Sequence, residues 1–301
     1  MKKFLAIMMA VMMVFAIAAC TAEPAAEETN AGEVEETPVV EETPVVEETP
    51  VVEETPVVEE ETPVEEETPV EEEAPAVENT EDVLVMATNA YFQPYEYYEG
   101  DKIVGIDAEI AAAIAEKLGM ELVISDMQFD SILTAVQTGS VDFGMAGMTV
   151  TEARLESVNF TSSYATGVQS IIVKEGSPIT TVDDLYGDVT YKVGVQLGTT
   201  GDIYSTDDFG AENVSQFANG NEAVMALLGD AVDCVIIDNQ PAKALVEANE
   251  GLVILETSYA DEEYAICVAK ENEELLANLN AAIDELIADG TVDAIIAKYI
   301  K

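Results

Sequence analysis

The chain has 301 residues, with 61 acidic side chains against 11 basic ones and no histidine, for a formal charge of −50 at pH 7. The missing histidine excludes Ser-His-Asp and Cys-His catalysis and every histidine-ligated metal site. Such an acidic surface repels nucleic acid, with no basic patch to offset it, and no metal or cofactor is expected.

Lys2 and Lys3 precede an apolar run over 4–19. The run is short and poorly flanked for a membrane span, so residues 1–19 read as a secretory signal peptide. It closes on Ile17-Ala18-Ala19-Cys20, which resembles the bacterial lipobox. Lipidation of Cys20 is therefore expected, and would anchor the protein to the outer face of the cell membrane without spanning it.

Residues 20–81 form a linker. Glu-Glu-Thr-Pro-Val-Val repeats without error from Glu35 to Val58 and then drifts. A proline in every unit removes a ladder donor and paired glutamates repel, which argues against a β-helix. The expectation is a disordered, partly polyproline-II stalk reaching about 150 Å if mostly extended. It reads either as a spacer through a cell wall or as a drifting low-complexity tail.

Ordered texture begins at Asp82. A buried strand is expected over 83–87 and an aromatic loop over 89–98. A helix over 107–118 stops at Gly119, and a strand follows over 122–124. Asp130 begins a helix that ends near Gly139, and a strand spans 141–146. The pattern then restarts. A strand over 193–195 meets the turn Gly198-Thr199-Thr200-Gly201, then a helix over 221–228, a strand over 232–237, a helix over 241–248 and two closing helices over 271–288 and 292–300. Strand–helix alternation of this kind implies βαβ units. Two such lobes imply a cleft between them, the default place for a ligand. Cys234 and Cys267 lie in apolar runs and read as buried free thiols.

Across 82–301 the motifs resemble the amino-acid-type (family 3) periplasmic solute-binding proteins. Tyr91-Phe92-Gln93-Pro94-Tyr95 is similar to the family's aromatic-x-Pro-aromatic opening, and Gly105-Ile106-Asp107 to its Gly-Phe-Asp helix start. Ala146-Gly147-Met148-Thr149-Val150-Thr151-Glu152-Ala153-Arg154 resembles the family's Ala-Gly-Met-Thr-Ile-Thr-Pro-Glu-Arg. Asn159-Phe160-Thr161 with Tyr164, Val193-Gly194-Val195-Gln196 through Thr200, Val232 through Asp238, and Asp289-Gly290-Thr291 follow in the family's order. The resemblance implies an α/β, type II periplasmic binding protein fold. It has two lobes, each a mostly parallel sheet flanked by helices, joined by crossovers near 169–173 and 264–268. Lobe one is expected at 82–168 plus 266–301 and lobe two at 169–265, closing on the ligand by a hinge.

Arg154 is the only arginine in the chain. Its planar fork suits a carboxylate, although a helix arginine tied to nearby acids is the plain alternative. Thr199, Thr200 and Gly201 sit at a strand-to-helix turn, where free N–H groups favour anions or simply cap the helix. Asp238 ends an apolar strand, so it is either a surface-loop acid or the partner of a ligand ammonium. The resemblance implies that Thr149, Arg154 and Thr200 hold the ligand carboxylate. Asp238 and the Gly147 carbonyl would hold its ammonium, Phe92 and Phe129 would sandwich its side chain, and Asn89 and Gln196 would tune side-chain preference. The implied function is capture of a small amino acid for the permease of an ABC importer, by a monomer without catalysis. A zwitterionic ligand with a polar, uncharged side chain is expected, unless Glu96 or Asp130 turns inward. Alternatives are an enzyme on the same fold, similar to cyclohexadienyl dehydratase, and a sensory partner of a membrane receptor.

Overall fold

The computed structural model describes residues 83–300. The expected signal peptide, Cys20 and the repeat linker lie outside the described residues. The first part of the chain supplies β1 (Val83–Thr88), β2 (Tyr91–Phe92), β3 (Glu96–Glu99), β4 (Lys102–Val104), α1 (Ile106–Leu118), β5 (Glu121–Asp126), α2 (Phe129–Gln137), β6 (Phe143–Gly144), α3 (Glu152–Leu155) and β7 (Val158–Phe160). The middle part supplies β8 (Ala165–Lys174), β9 (Val193–Gln196), α4 (Thr200–Phe209), β10 (Val214–Phe217), α5 (Gly220–Leu228), β11 (Cys234–Asp238), α6 (Asn239–Ala248), β12 (Leu252–Ile254) and β13 (Ala260–Tyr264). The chain ends with β14 (Cys267–Ala269), α7 (Glu273–Ala288) and α8 (Thr291–Tyr299).

Two main sheets result. One has the order β5-β1-β6-β14-β7. The other has the order β10-β9-β11-β8-β12, with β13 also paired to β8. Each is parallel where βαβ units build it, at β5-β1-β6 and β10-β9-β11. Antiparallel pairings enter with β14 and β7 in the first sheet and with β8, β12 and β13 in the second. The sheets are therefore mixed, because one strand in each, β14 in the first and β8 in the second, runs against the βαβ direction.

The passage between sheets is a two-stranded ribbon. β7 pairs β14, then Thr161 N–H donates to Ile266 O, Tyr164 N–H to Tyr264 O, and β8 pairs β13. Residues 169–173, read from sequence as the first crossover, lie inside the second sheet against β11 and β12. The passage itself is the polar stretch 161–164; the apolar run Ile171-Ile172-Val173 is buried sheet core.

Helix α1 shows the local logic. Ile106, Ile110 and Ile114 fall on one buried face, the i, i+4, i+8 spacing of an amphipathic helix. It stops at Gly119, which is left-handed and returns its N–H to Ala115 O and Glu116 O. Cys234 and Cys267 are buried free thiols, each pushed up to about 12 by burial. Among the described residues no helix is long and apolar enough to cross a membrane.

Candidate functional site

Four parallel strands end at one place. β1 runs into Asn89, β6 into the loop 145–149, β9 closes with Gln196 and β11 with Asp238. The C-terminal edges of parallel strands are where α/β sheets ordinarily receive ligands. Here the edges of two sheets face each other across a narrow cavity. It is lined by Asn89, Phe92, Glu96, Phe129, Ala146, Gly147, Thr149, Arg154, Gln196, Thr199, Thr200 and Asp238. Every ligand-site residue expected from the sequence is among them.

The backbone after β6 is shaped for this role. Gly147 has φ 53°, and a Cβ there would lie 2.7 Å from Phe92 Cε1. Only glycine fits that conformation at that distance from the ring. Its N–H donates to Asp107 Oδ2 at 2.8 Å, and Tyr164 Oη donates to the same oxygen at 2.8 Å. Burial raises Asp107 to about 6, against the opposing pull of these donors.

Arg154 sits in the short helix α3, which is started by the Thr151 hydroxyl accepting from the Arg154 N–H. The side chain is 5% exposed. One terminal nitrogen donates to Thr149 O at 2.7 Å and the other reaches the opposite lobe, donating to Gly198 O at 3.1 Å. The guanidinium carbon lies 5.4 Å from the centre of the Phe129 ring. No carboxylate forms an ion pair with Arg154 among the described residues. Burial lowers its pKa, against the opposing field of nearby Glu262.

The second lobe contributes the start of α4. Thr199 is its N-cap, accepting from the Asp202 N–H, and Thr200 is its first residue. Gln196 donates across the cleft to Asn89 Oδ1 at 2.9 Å and also to Ala218 O at 3.3 Å. Asn89 itself donates to Met127 O at 2.8 Å.

Asp238 is 6% exposed. Gln169 Nε2 donates to it at 2.7 Å, and the Tyr264 hydroxyl donates to its other oxygen. Burial first, then the field of Glu262, raises Asp238 to about 8. Glu262 is buried behind the cavity and accepts from Thr149 Oγ1 at 3.1 Å and Gln169 Nε2 at 3.0 Å. The cavity is thus lined by a buried cation, a buried carboxyl and two phenylalanines.

Sequence reasoning left Glu96 as an acid that turns either in or out. It is buried and lines the cavity, whereas Asp130 is exposed. Gln169 and Glu262 were not anticipated; nothing in their local sequence separates them from neighbouring polar residues.

The family model for bacterial extracellular solute-binding proteins, family 3, matches residues 84–301. The arginine-binding extracellular protein ArtP of Bacillus subtilis (strain 168) is 31% identical over 229 residues, covering 74% of this chain and 88% of that one. An ancestral arginine-binding protein, solved bound to glutamine, is 38% identical with a TM-score of 0.68, covering 73% of this chain and 98% of that one. An ancestral amino-acid-binding protein described as a precursor of cyclohexadienyl dehydratase is 29% identical with a TM-score of 0.67, covering 73% of this chain and 96% of that one. The chain belongs to family 3 of the bacterial extracellular solute-binding proteins, the class that captures amino acids for ABC importers.

Proposed function

We propose that this protein binds a zwitterionic α-amino acid whose uncharged side chain carries N–H donors. One observation carries the reading. Arg154 is a buried guanidinium with no carboxylate partner among the described residues, lining a cavity that the buried Asp238 also lines. An unpaired buried charge is costly, so the cavity is suited to an occupant that supplies both an anion and a cation. Arg154, Thr149 and Thr200 receive the carboxylate; Asp238 and the Gly147 carbonyl receive the ammonium; Phe92 and Phe129 cover the aliphatic stem.

The far subsite supports the side-chain class. Asn89 Nδ2 donates to Met127 O, and Gln196 Nε2 donates to Asn89 Oδ1 and to Ala218 O. That leaves the Gln196 carbonyl oxygen as an open acceptor for a side-chain N–H, and no carboxylate is needed there for a neutral amide.

Cys20 is the lipid attachment point in this reading, holding a monomer at the outer face of the cell membrane. The lobes are 82–168 with 266–301 and 169–265. The two separate sheets support this division, with the first passage nearer to 161–164. The reading is binding without turnover; assays with a cyclic acid test the dehydratase alternative. A thermal-shift screen of the twenty standard L-amino acids tests the ligand class, since a ligand bound only to the folded state raises stability. L-glutamine or L-asparagine is expected to give the largest shift. L-arginine or L-lysine as the best ligand would contradict the side-chain assignment.

A further inference from the structure

Glu96 is the first residue of β3, is 1% exposed and lines the ligand cavity. No protein donor faces either of its carboxyl oxygens, nor Asp107 Oδ1. Its one hydrogen-bond neighbour is another carboxyl, that of Asp107. Two buried carboxyls in contact cannot both be charged, so a proton lies between them. Asp107 is the better carboxylate of the two, because Gly147 N–H and Tyr164 Oη already donate to it. The proton therefore belongs to Glu96, which donates it to Asp107 and keeps a carbonyl oxygen free.

We propose that Glu96 is a further ligand-binding residue, a neutral carboxyl held by Asp107 whose carbonyl oxygen accepts a hydrogen bond from the bound α-ammonium. The inference rests on the amino-acid reading above.

Placement fits this role. The charged groups that bear on Glu96 are Asp107 of α1, Asp238 of β11 and Asp126 of β5. Asp238 bears on Arg154 as well, together with Glu262. Asp107, which contacts Glu96, also accepts from the Gly147 N–H, so Glu96 lies beside the Gly147 turn whose carbonyl is assigned to the ammonium. Burial holds its carboxyl well above the ordinary glutamate range, and the negative field of Asp107 adds to this. A primary ammonium has three N–H donors. Asp238, the Gly147 carbonyl and Glu96 offer three acceptors from three elements. A neutral third acceptor satisfies the last donor without adding another buried negative charge. The same Asp107 that holds Glu96 also fixes the Gly147 amide, so one carboxylate orients two of the three acceptors.

The experiment uses the full mature chain and three forms of position 96. Infrared difference spectra of ligand-free wild type against Glu96→Gln should show a protonated-carboxyl stretch that the variant lacks. Calorimetry then uses L-glutamine, or whichever of the twenty standard L-amino acids stabilises the wild type most. Glu96→Gln keeps both a donor for Asp107 and a carbonyl for the ligand, and should bind within about threefold of wild type. Glu96→Leu keeps neither, and should bind about tenfold to a hundredfold more weakly while circular dichroism shows it folded. Absence of the carboxyl band, or wild-type affinity in Glu96→Leu, overturns the inference and leaves the amino-acid reading standing. Failure of all twenty amino acids to stabilise the wild type overturns that reading and this inference with it.

Discussion

The Arg154 guanidinium of the first lobe donates to the Gly198 carbonyl of the second at 3.1 Å. Gly198 in turn approaches the first lobe so closely that a Cβ there would lie 3.0 Å from Asp130 Cβ. The residue proposed to hold the ligand carboxylate thus also bonds across the cleft, and in that reading ligand capture and lobe closure share one side chain.

Arg154→Ala should therefore remove measurable amino-acid binding while leaving the fold intact. An exposed ion pair is worth only about 0–1 kcal/mol, too little to extract a small ligand's carboxylate from water. Truncating one partner of a buried, hydrogen-bonded charge pair costs about 2–5 kcal/mol, or roughly thirtyfold to several thousandfold in affinity. Arg154→Lys should also bind poorly, because an ammonium cannot form the planar fork. Calorimetry on folded variants decides; undiminished affinity in Arg154→Ala would show that the site is misplaced.

Asp238 links binding to pH. Its carboxyl is raised from 3.8 to about 8 in the folded protein. Between those values the folded state holds a proton that the unfolded state has lost, so folding is weakened as pH rises. The stability it contributes is fully present below its ordinary range and is lost as pH rises through about 8. Thermal melts of the ligand-free protein from acid to mildly alkaline pH should fall more steeply in wild type than in Asp238→Asn. A bound ammonium favours the carboxylate, so binding near neutral pH should release a proton. Calorimetry in buffers of different ionisation heat would reveal it, and the release should vanish in Asp238→Asn.

Gly147→Ala tests the backbone at the ammonium end. The added methyl meets Phe92 at 2.7 Å on a backbone with φ 53°. Strain of this kind costs about 1–3 kcal/mol. The variant should melt lower and bind more weakly, since the carbonyl and the Phe92 ring must both move. A Gly147→Ala protein with unchanged melting and affinity would mean that the loop relaxes freely.

Asn89→Asp tests the side-chain subsite. Asn89 and Gln196 meet across the cleft at 2.9 Å. A carboxylate at position 89 would offer a cationic side chain a charged partner, and charge-assisted hydrogen bonds are about twice as strong as neutral ones. The preference for L-arginine over L-glutamine should rise by about tenfold or more, a gain of roughly 1.4 kcal/mol. Competition calorimetry measures the ratio directly, and an unmoved ratio would place the ligand side chain elsewhere.

Much of this molecule was legible in the sequence because its signals are local or singular. Alternation of apolar strands and helices gave the α/β class. Arg154 stands out as the one guanidinium of the chain, and Asp238 as an acid ending an apolar strand. Thr199 and Thr200 announce a helix start by capping chemistry alone. Glu96 and Glu262 were not legible in the same way. Among 61 acids, composition and spacing do not say which turn inward. That choice is made by packing: β3 folds Glu96 under the cavity, and the return strand β13 brings Glu262 behind Thr149, 113 residues away in sequence. The same holds for the pairing of Asn89 with Gln196, 107 residues apart. A sequence specifies backbone preference and burial tendency position by position. Which buried polar groups must share donors, protons or a ligand depends on distances that exist only once two sheets face each other.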